Sequence, residues 1–269
     1  MLPFMQQQRP ICEVLMAVLS YLQVLSSQAI LSKREMLSIQ RSIDALHRRL
    51  TADVGSVVQE QLRFGSSTRG TILPRSMDEH SDIDYMVVFK SDGATPQTYL
   101  DRLKRFALAN YPSAYIKQSF PTIVLELNHI KFDLVPALRS FWHDYKIAGP
   151  EGSWRGCSPS GFRSELTERN QSCHALLKPT IRLLKLWNAK HGYVFESYLL
   201  EKQVVNNLYP FCSNLREYFF KAIDDLEKTG IGWKDEHIRY AKAAINEVRR
   251  LEEGGKSAEA EALVSSLFH

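Results

Sequence analysis

The sequence predicts an α+β protein, with a small mixed sheet at its centre flanked by helices and a helical C-terminal half. Three observations point there. Alternating apolar runs closed by turn residues cluster between residues 63 and 140. Helical periodicity dominates before and after that stretch. At 269 residues, with 44% hydrophobic and 24% charged content, the chain carries enough apolar surface for one or two packed lobes.

The elements follow in order. Ile11–Leu25 is an apolar stretch interrupted by Cys12, Glu13, Ser20 and Gln23. It has no small-residue cleavage site and is too short and too polar to span a bilayer, so it is expected to be a helix packed on the protein body or on a partner. Lys33–Leu50 reads as a long supporting helix, and residues 1–62 are expected to be helical throughout. Residues 63–164 form the predicted core: a strand over Ile83–Phe89, a helix over Pro96–Ala109 and a hairpin over Thr122–Ala137. Trp142–Ser164 holds Gly149, Pro150, Gly152, Gly156, Pro159 and Gly161, a density of breakers that predicts irregular structure. Residues 165–269 are read as a helical lobe, which would face the core across a cleft.

The chemistry concentrates between Phe64 and Phe89. Strand side chains alternate faces, so Asp82 and Asp84 point the same way, opposite Ile83 and Tyr85. Close carboxylates repel unless a positive charge sits between them. A hard divalent cation such as Mg²⁺ suits oxygen ligands and keeps substrate phosphate in its shell. Two acids at a strand end are also common surface decoration, and the rest of the chain decides between the readings. In the hairpin, the arms Ile123–Leu127 and Ile130–Val135 meet at a turn near Asn128–His129. Lys131, Asp133 and Val135 share one face of the second arm, and the apolar run ends at Pro136. A lone carboxylate in such a run is costly. If this strand lies beside the first, Asp133 joins Asp82 and Asp84. Glu126, nearer the turn, reads as a solvated strand residue, and Glu79 and His80 as loop residues.

Gly65 and Ser66 open the motif. Glycine lets backbone approach a ligand closely, and exposed amides after it would cap an anion if a helix begins there. A Gly-Ser pair alone is ordinary turn material. The specificity lies in the series Gly65-Ser66, Gly70-Thr71, Leu73-Pro74, Ser81-Asp82-Ile83-Asp84 and Asp133 ahead of Val135-Pro136.

That series resembles the nucleotidyltransferases of the polymerase-β superfamily, in particular the bacterial cyclic oligonucleotide synthases of anti-phage signalling, which are similar to animal cyclic GMP–AMP synthase and 2′–5′ oligoadenylate synthase. The resemblance covers nearly the whole chain. It includes the helix face Ile39, Ser42, Ile43, Leu46 and Leu50 and the C-terminal region from Ala241 to Phe268. It implies a polymerase-β-like core plus a helical lobe. It further implies two Mg²⁺ ions (Mn²⁺ as a substitute) held by Asp82, Asp84 and Asp133, and nucleoside triphosphates as substrates.

Two further segments gain meaning from the resemblance. Leu176–His191 has an apolar face of Leu177, Ile181, Leu184 and Trp187, with Lys178, Arg182 and Lys185 along one stripe. The stripe reads either as a solvated charged face or as a phosphate-neutralising one, and the family pattern Lys-x-Trp places a triphosphate ligand at Lys185. Phe195–Val205 matches the family pattern Ser-Tyr-x-Leu-Glu. Ser197 reads as a helix N-cap, a triphosphate ligand, or both. Tyr198 reads as a base-stacking ring or as core, and Asn188 and Tyr198 are near enough in sequence to influence base choice.

The resemblance implies a cyclic di- or trinucleotide product, a downstream effector activated by it and a regulatory protein as a further partner, in the cytoplasm, with no membrane and no required nucleic acid. The same triad serves template-independent transferases acting on RNA or tRNA ends, and an inactive nucleotide-binding homologue keeps the fold. All three acids stand in this chain, which argues for activity. The net charge of +4 suits an anionic substrate without demanding nucleic acid. Cys12, Cys157, Cys173 and Cys212 are scattered without a Cys-x-x-Cys pair, and fit free thiols in a reducing compartment better than a disulfide or zinc framework.

Overall fold

The structure is a computed structural model that describes residues 8–142 and 144–269, with side chains described from Ala17 onward. The chain divides into two compact units, residues 31–167 and residues 1–30 with 168–269. The first helix, α1 (Gln8–Gln28), therefore belongs with the C-terminal helices, and the long helix α2 (Lys33–Val54) with the sheet. The expected break near residue 62 is not where the chain divides. Among the described residues no helix is long and apolar enough to cross a membrane. The side chain of Cys12 lies outside the described residues; Cys157, Cys173 and Cys212 are free thiols.

In the sheet unit, α2 begins with a capping box. Ser32 Oγ accepts from the amide of Glu35, and Glu35 Oε2 accepts from the amide of Ser32 at 2.8 Å. Its Ile43, Leu46 and Leu50 are buried against the sheet, and fully burying such a side chain contributes about 1.5–3 kcal/mol.

The strands are β1 (Val58–Arg63), β2 (Ile83–Phe89), β3 (Tyr115–Ser119), β4 (Thr122–Leu127), β5 (Ile130–Arg139), β6 (Tyr145–Ala148) and β7 (Trp154–Cys157). Their order is β1-β2-β5-β4-β3, with β6 and β7 continuing from β5. Between β1 and β2 lies a one-turn helix, α3 (Ser66–Arg69), and between β2 and β3 the helix α4 (Pro96–Asn110). Strands β2 and β5 are parallel; the other pairs are antiparallel. Ile83, Tyr85, Val87 and Phe89 join Phe132 and Leu134 in one core with α2 and α4. Met86, Val88 and Val135 form a second, smaller core on the opposite face with Tyr145 and Ile147.

Three expectations need correction. Residues 58–63 form an edge strand rather than helix, because the partly buried segment pairs antiparallel with β2. The stretch 142–164 is not irregular. Strands β6 and β7 pair on either side of a single 3₁₀ turn at Pro150–Gly152, and the helix α5 (Pro159–Ser172) starts at the last proline. The breakers mark the turns of a hairpin rather than its absence. Strand β5 also runs through Pro136 to Arg139. Strand β4 pairs it up to Leu134 and β6 takes over from Ala137. Pro136, which has no amide to donate, falls in the gap between these two antiparallel partners.

The second unit is helical: α1, α6 (Leu177–Lys190), α7 (Ser197–Asn206), α8 (Leu215–Asp224), α9 (Gly232–Glu253) and α10 (Ser257–Ser266). Helix α6 is its centre. The expected apolar face Leu177, Ile181, Leu184 and Trp187 is fully buried, and every other residue from Thr180 to Asn188 is buried as well. A solvated charged face is therefore ruled out for Arg182 and Lys185.

Candidate active site

The parallel pairing of β2 and β5 sets Asp84 directly beside Asp133. Both point to the face opposite the α2/α4 core, because their neighbours Ile83, Tyr85, Phe132 and Leu134 fill that core. Asp82, one residue before β2, faces the same way two positions earlier.

Asp133 is the strained member of the set. Its Oδ1 is buried and accepts no hydrogen bond among the described residues. Burial first, and the nearby charge of Asp82 second, push its carboxyl up to about 6. Lys131, two residues earlier on β5, reaches Asp82 Oδ2 at 3.2 Å. Glu126, the expected solvated residue, is 38% exposed at its side chain and carries an ion pair with Arg75 at 2.8 Å. That bond holds its carboxyl below the usual range. Glu79 and His80 stand in an exposed loop.

The Gly65 turn lies against the second aspartate. Gly65 has φ +70° and ψ −158°, a region that essentially only glycine occupies. A Cβ at this position would fall 1.7 Å from Asp84 Oδ2. The glycine that was expected to admit a ligand thus also makes room for a carboxylate. The amide of Phe64 donates to the Asp84 carbonyl at 3.1 Å, which ties the turn to the strand. Ser67 Oγ and Thr68 Oγ1 donate to the carbonyls of Phe64 and Gly65. Of the three hydroxyls, Ser66 is the one not used by the loop's own backbone among the described residues.

Whether these residues suit a divalent cation follows from the donors. Among the described residues no three His, Cys, Asp or Glu side chains are already gathered as a metal cluster. The donor set is nonetheless all oxygen, placed on one strand face, and Asp133 Oδ1 is a buried acceptor without a donor among the described residues. Hard cations take such oxygens, and one would satisfy the orphaned atom. The residues fit the group.

The remaining candidates lie in the helical unit. Lys185 is buried and pairs with Glu201 at 3.5 Å, both nearly inaccessible. Ser197 is the first residue of α7, not its cap. Glu196 holds the cap position, and no side chain there bonds the helix amides. Tyr198 is 48% exposed, which excludes the core-packing alternative. Asn188 is buried and committed: it donates to the Phe195 carbonyl and accepts from the Phe195 amide, each at 2.9 Å. It shapes the approach to α7, and no longer stands as a base-selecting residue. Arg182 donates to the Ser26 carbonyl at 3.3 Å.

Sequence reasoning missed two partners, Lys131 and Glu201. Lys131 was visible on the Asp133 face by alternation, and Glu201 as the closing acid of the Ser-Tyr-x-Leu-Glu pattern. Neither pairing had a local signal.

Comparison with known proteins agrees with the fold. The sequence profile of the Second Messenger Oligonucleotide or Dinucleotide Synthetase domain matches residues 16–170. A protein of Bacillus cereus (strain VD146), described as a probable cyclic nucleotide synthase, is 28% identical over 188 residues; the match spans 55% of this chain and 55% of that protein. This chain thus covers about half the length of that relative. CdnC of E. coli MS115-1, solved with ATP, superposes with a TM-score of 0.70 at 16% identity, covering 93% of this chain and 97% of that one. It has also been solved in a complex with HORMA-deltaN, again at a TM-score of 0.70. The CD-NTase CdnG of Bradyrhizobium diazoefficiens, solved with GTP, gives 0.67 at 14% identity, covering 93% and 97%. At these identities the structures speak for the fold, which is polymerase-β-like. The sequence profile spans more than half of the chain, and the protein belongs to the Second Messenger Oligonucleotide or Dinucleotide Synthetase family.

Proposed function

We propose that this chain is a metal-dependent nucleotidyltransferase that joins nucleoside triphosphates into a cyclic di- or trinucleotide second messenger and releases pyrophosphate. The observation that supports it most is the side-by-side placement of Asp84 and Asp133 with Asp82 on one strand face, against the Gly65 turn, in a member of this family.

Asp82, Asp84 and Asp133 would hold Mg²⁺, two ions in the full site. The metal supplies charge neutralisation for the triphosphate and activation of the acceptor hydroxyl. The hydroxyl oxygen attacks the α-phosphorus, the bond to the β-phosphate bridge breaks, and pyrophosphate leaves. With Asp133 Oδ1 turned to the metal, the second oxygen of the same carboxylate is the acceptor offered to the hydroxyl proton. Ser66 offers a donor to the phosphate tail, and Gly65 keeps Asp84 in place. Lys185 and Ser197 are assigned to the β and γ phosphates and Tyr198 to the base. For a cyclic product the linear intermediate turns over, and its own triphosphate becomes the donor in the same site.

On this reading the partners are nucleoside triphosphates, a downstream effector activated by the cyclic product and a regulatory protein. CdnC, a similar fold, is known in a complex with HORMA-deltaN. Nucleic acid is not required. The setting is cytoplasmic anti-phage signalling.

The test is incubation of purified protein with mixed nucleoside triphosphates and Mg²⁺, without RNA, followed by phosphatase treatment and mass spectrometry. A phosphatase-resistant cyclic product that disappears in D84N/D133N supports the assignment. Transfer only when an RNA acceptor is added would overturn it in favour of an RNA-end transferase.

A further inference from the structure

A cation is already bonded to the acidic face, and it is Lys131. On β5 this lysine is the register partner of Glu126 on β4, the ordinary cross-strand choice for an ion pair. That carboxylate is already bonded by Arg75 at 2.8 Å. The Lys131 ammonium instead bonds Asp82 Oδ2, at 3.2 Å. Its side chain is only 19% exposed and that of Asp82 27%, so water screens the pair incompletely.

Three carboxylates on one sheet face repel each other, and a protein without bound metal must offset this in some way. We propose that Lys131 is a built-in counter-ion: it bonds Asp82 when no divalent cation is present, and loading of the metal requires its displacement from that oxygen. The inference rests on the assignment of Asp82, Asp84 and Asp133 as metal ligands. A cation on Asp82 Oδ2 would share the atom with an ammonium, and two positive charges so placed disfavour each other. Free metal therefore binds weakly, and a cation arriving with a triphosphate, whose negative charge offsets the lysine, binds better. The lysine makes the site selective for metal–nucleotide over metal alone.

The experiment uses Mn²⁺ alone, with no nucleotide, and reads free Mn²⁺ by electron paramagnetic resonance in wild type, K131Q and D84N/D133N. The expected result is binding in K131Q about tenfold or more tighter than in wild type, with loss of binding in D84N/D133N. An unchanged or weaker affinity in K131Q, with binding still lost in D84N/D133N, overturns the counter-ion role and leaves the metal site standing. Equal residual Mn²⁺ binding in all three proteins overturns the metal site itself, and the counter-ion role with it. A second measurement on the wild type does not depend on the folding of any variant: acylation of Lys131 by an amine-reactive ester, read by peptide mass spectrometry. Reactivity should rise several-fold as Mn²⁺ saturates the protein. Unchanged reactivity at saturating Mn²⁺ overturns the displacement.

Discussion

Gly65 is pressed against Asp84 so closely that a single added carbon would stand 1.7 Å from Asp84 Oδ2. The turn and the carboxylate are one device: the glycine's φ of +70° brings the chain back over the strand, and its missing side chain leaves the space that Asp84 fills.

G65A should therefore act twice. The backbone strain is worth about 1–3 kcal/mol, which for a chain of this size lowers Tm by roughly 2–12 °C. The methyl group also drives the Asp84 carboxylate from its place, and product formation should fall by about a hundredfold or more at temperatures where the variant is folded, since small misplacements of reacting groups have effects of that order. Thermal denaturation and a product assay check the two effects separately. Wild-type turnover in a folded G65A protein would contradict the assigned role of Asp84.

Asp133 makes the metal-free protein sensitive to pH. Its folded-state carboxyl titrates at about 6, above the ordinary value of 3.8, with burial as the main cause and Asp82 as the second. A raised carboxyl pKa means that the folded state binds the proton more tightly. The resulting stability is present below pH 3.8 and is lost as pH rises through 6. The amount is about 3 kcal/mol. In EDTA, wild type should lose stability between about pH 4 and 7 relative to D133N, and D133N should be the more stable protein at about pH 8. Urea unfolding of both proteins across that range measures the difference. Parallel pH profiles would show that the group does not titrate there.

How much of this could be read from the chain depends on how local the determinant is. The period-2 alternation of Ile83–Phe89 and Ile130–Val135 is local and assigns Asp84 and Asp133 a face on each strand; that the two faces match is supplied by the parallel pairing. The capping pair Ser32 and Glu35 is equally local. Strand β1 escaped because Val58–Arg63 is a polar edge whose signal is its partner. Helix α6 shows the same limit. The spacing of Lys178, Arg182 and Lys185 is written in the sequence, but the burial of Arg182 and Lys185 depends on Ser26 and Glu201, 156 and 16 residues away. Ser197 was displaced by one position, from cap to first helical residue, because Glu196 takes the extended backbone that a cap needs.

Tyr198 tests base recognition without disturbing the core. Its ring is 48% exposed, so Y198A should change stability by no more than about 1 kcal/mol. If the ring stacks on a nucleobase, its loss weakens binding by about 1–3 kcal/mol, which is roughly a 5- to 150-fold rise in KM. Y198F should behave like wild type, because stacking needs the ring and not the hydroxyl. Steady-state kinetics on all three proteins decides; an unchanged KM in Y198A removes Tyr198 from the nucleotide site.

Lys185 poses the sharpest question, because its two possible roles predict different consequences. It is buried against Glu201 at 3.5 Å. Removing the ammonium leaves a fully buried carboxylate without that partner, so K185A should cost about 3 kcal/mol of stability, or roughly 6–12 °C in Tm. Lost activity in K185A would then say little about phosphate binding. Replacing the pair together, as K185M/E201L, removes the buried carboxylate along with its ammonium and fills the same volume with apolar atoms, an exchange that is often neutral or stabilising. This double variant should recover the Tm of wild type to within a few degrees. With the fold restored, a triphosphate ligand would still be missing, and KM for nucleoside triphosphates should stay at least tenfold above wild type. A double variant that recovers both stability and KM would show that Lys185 serves Glu201 alone, and would take the lysine out of the phosphate site while leaving the three aspartates untouched.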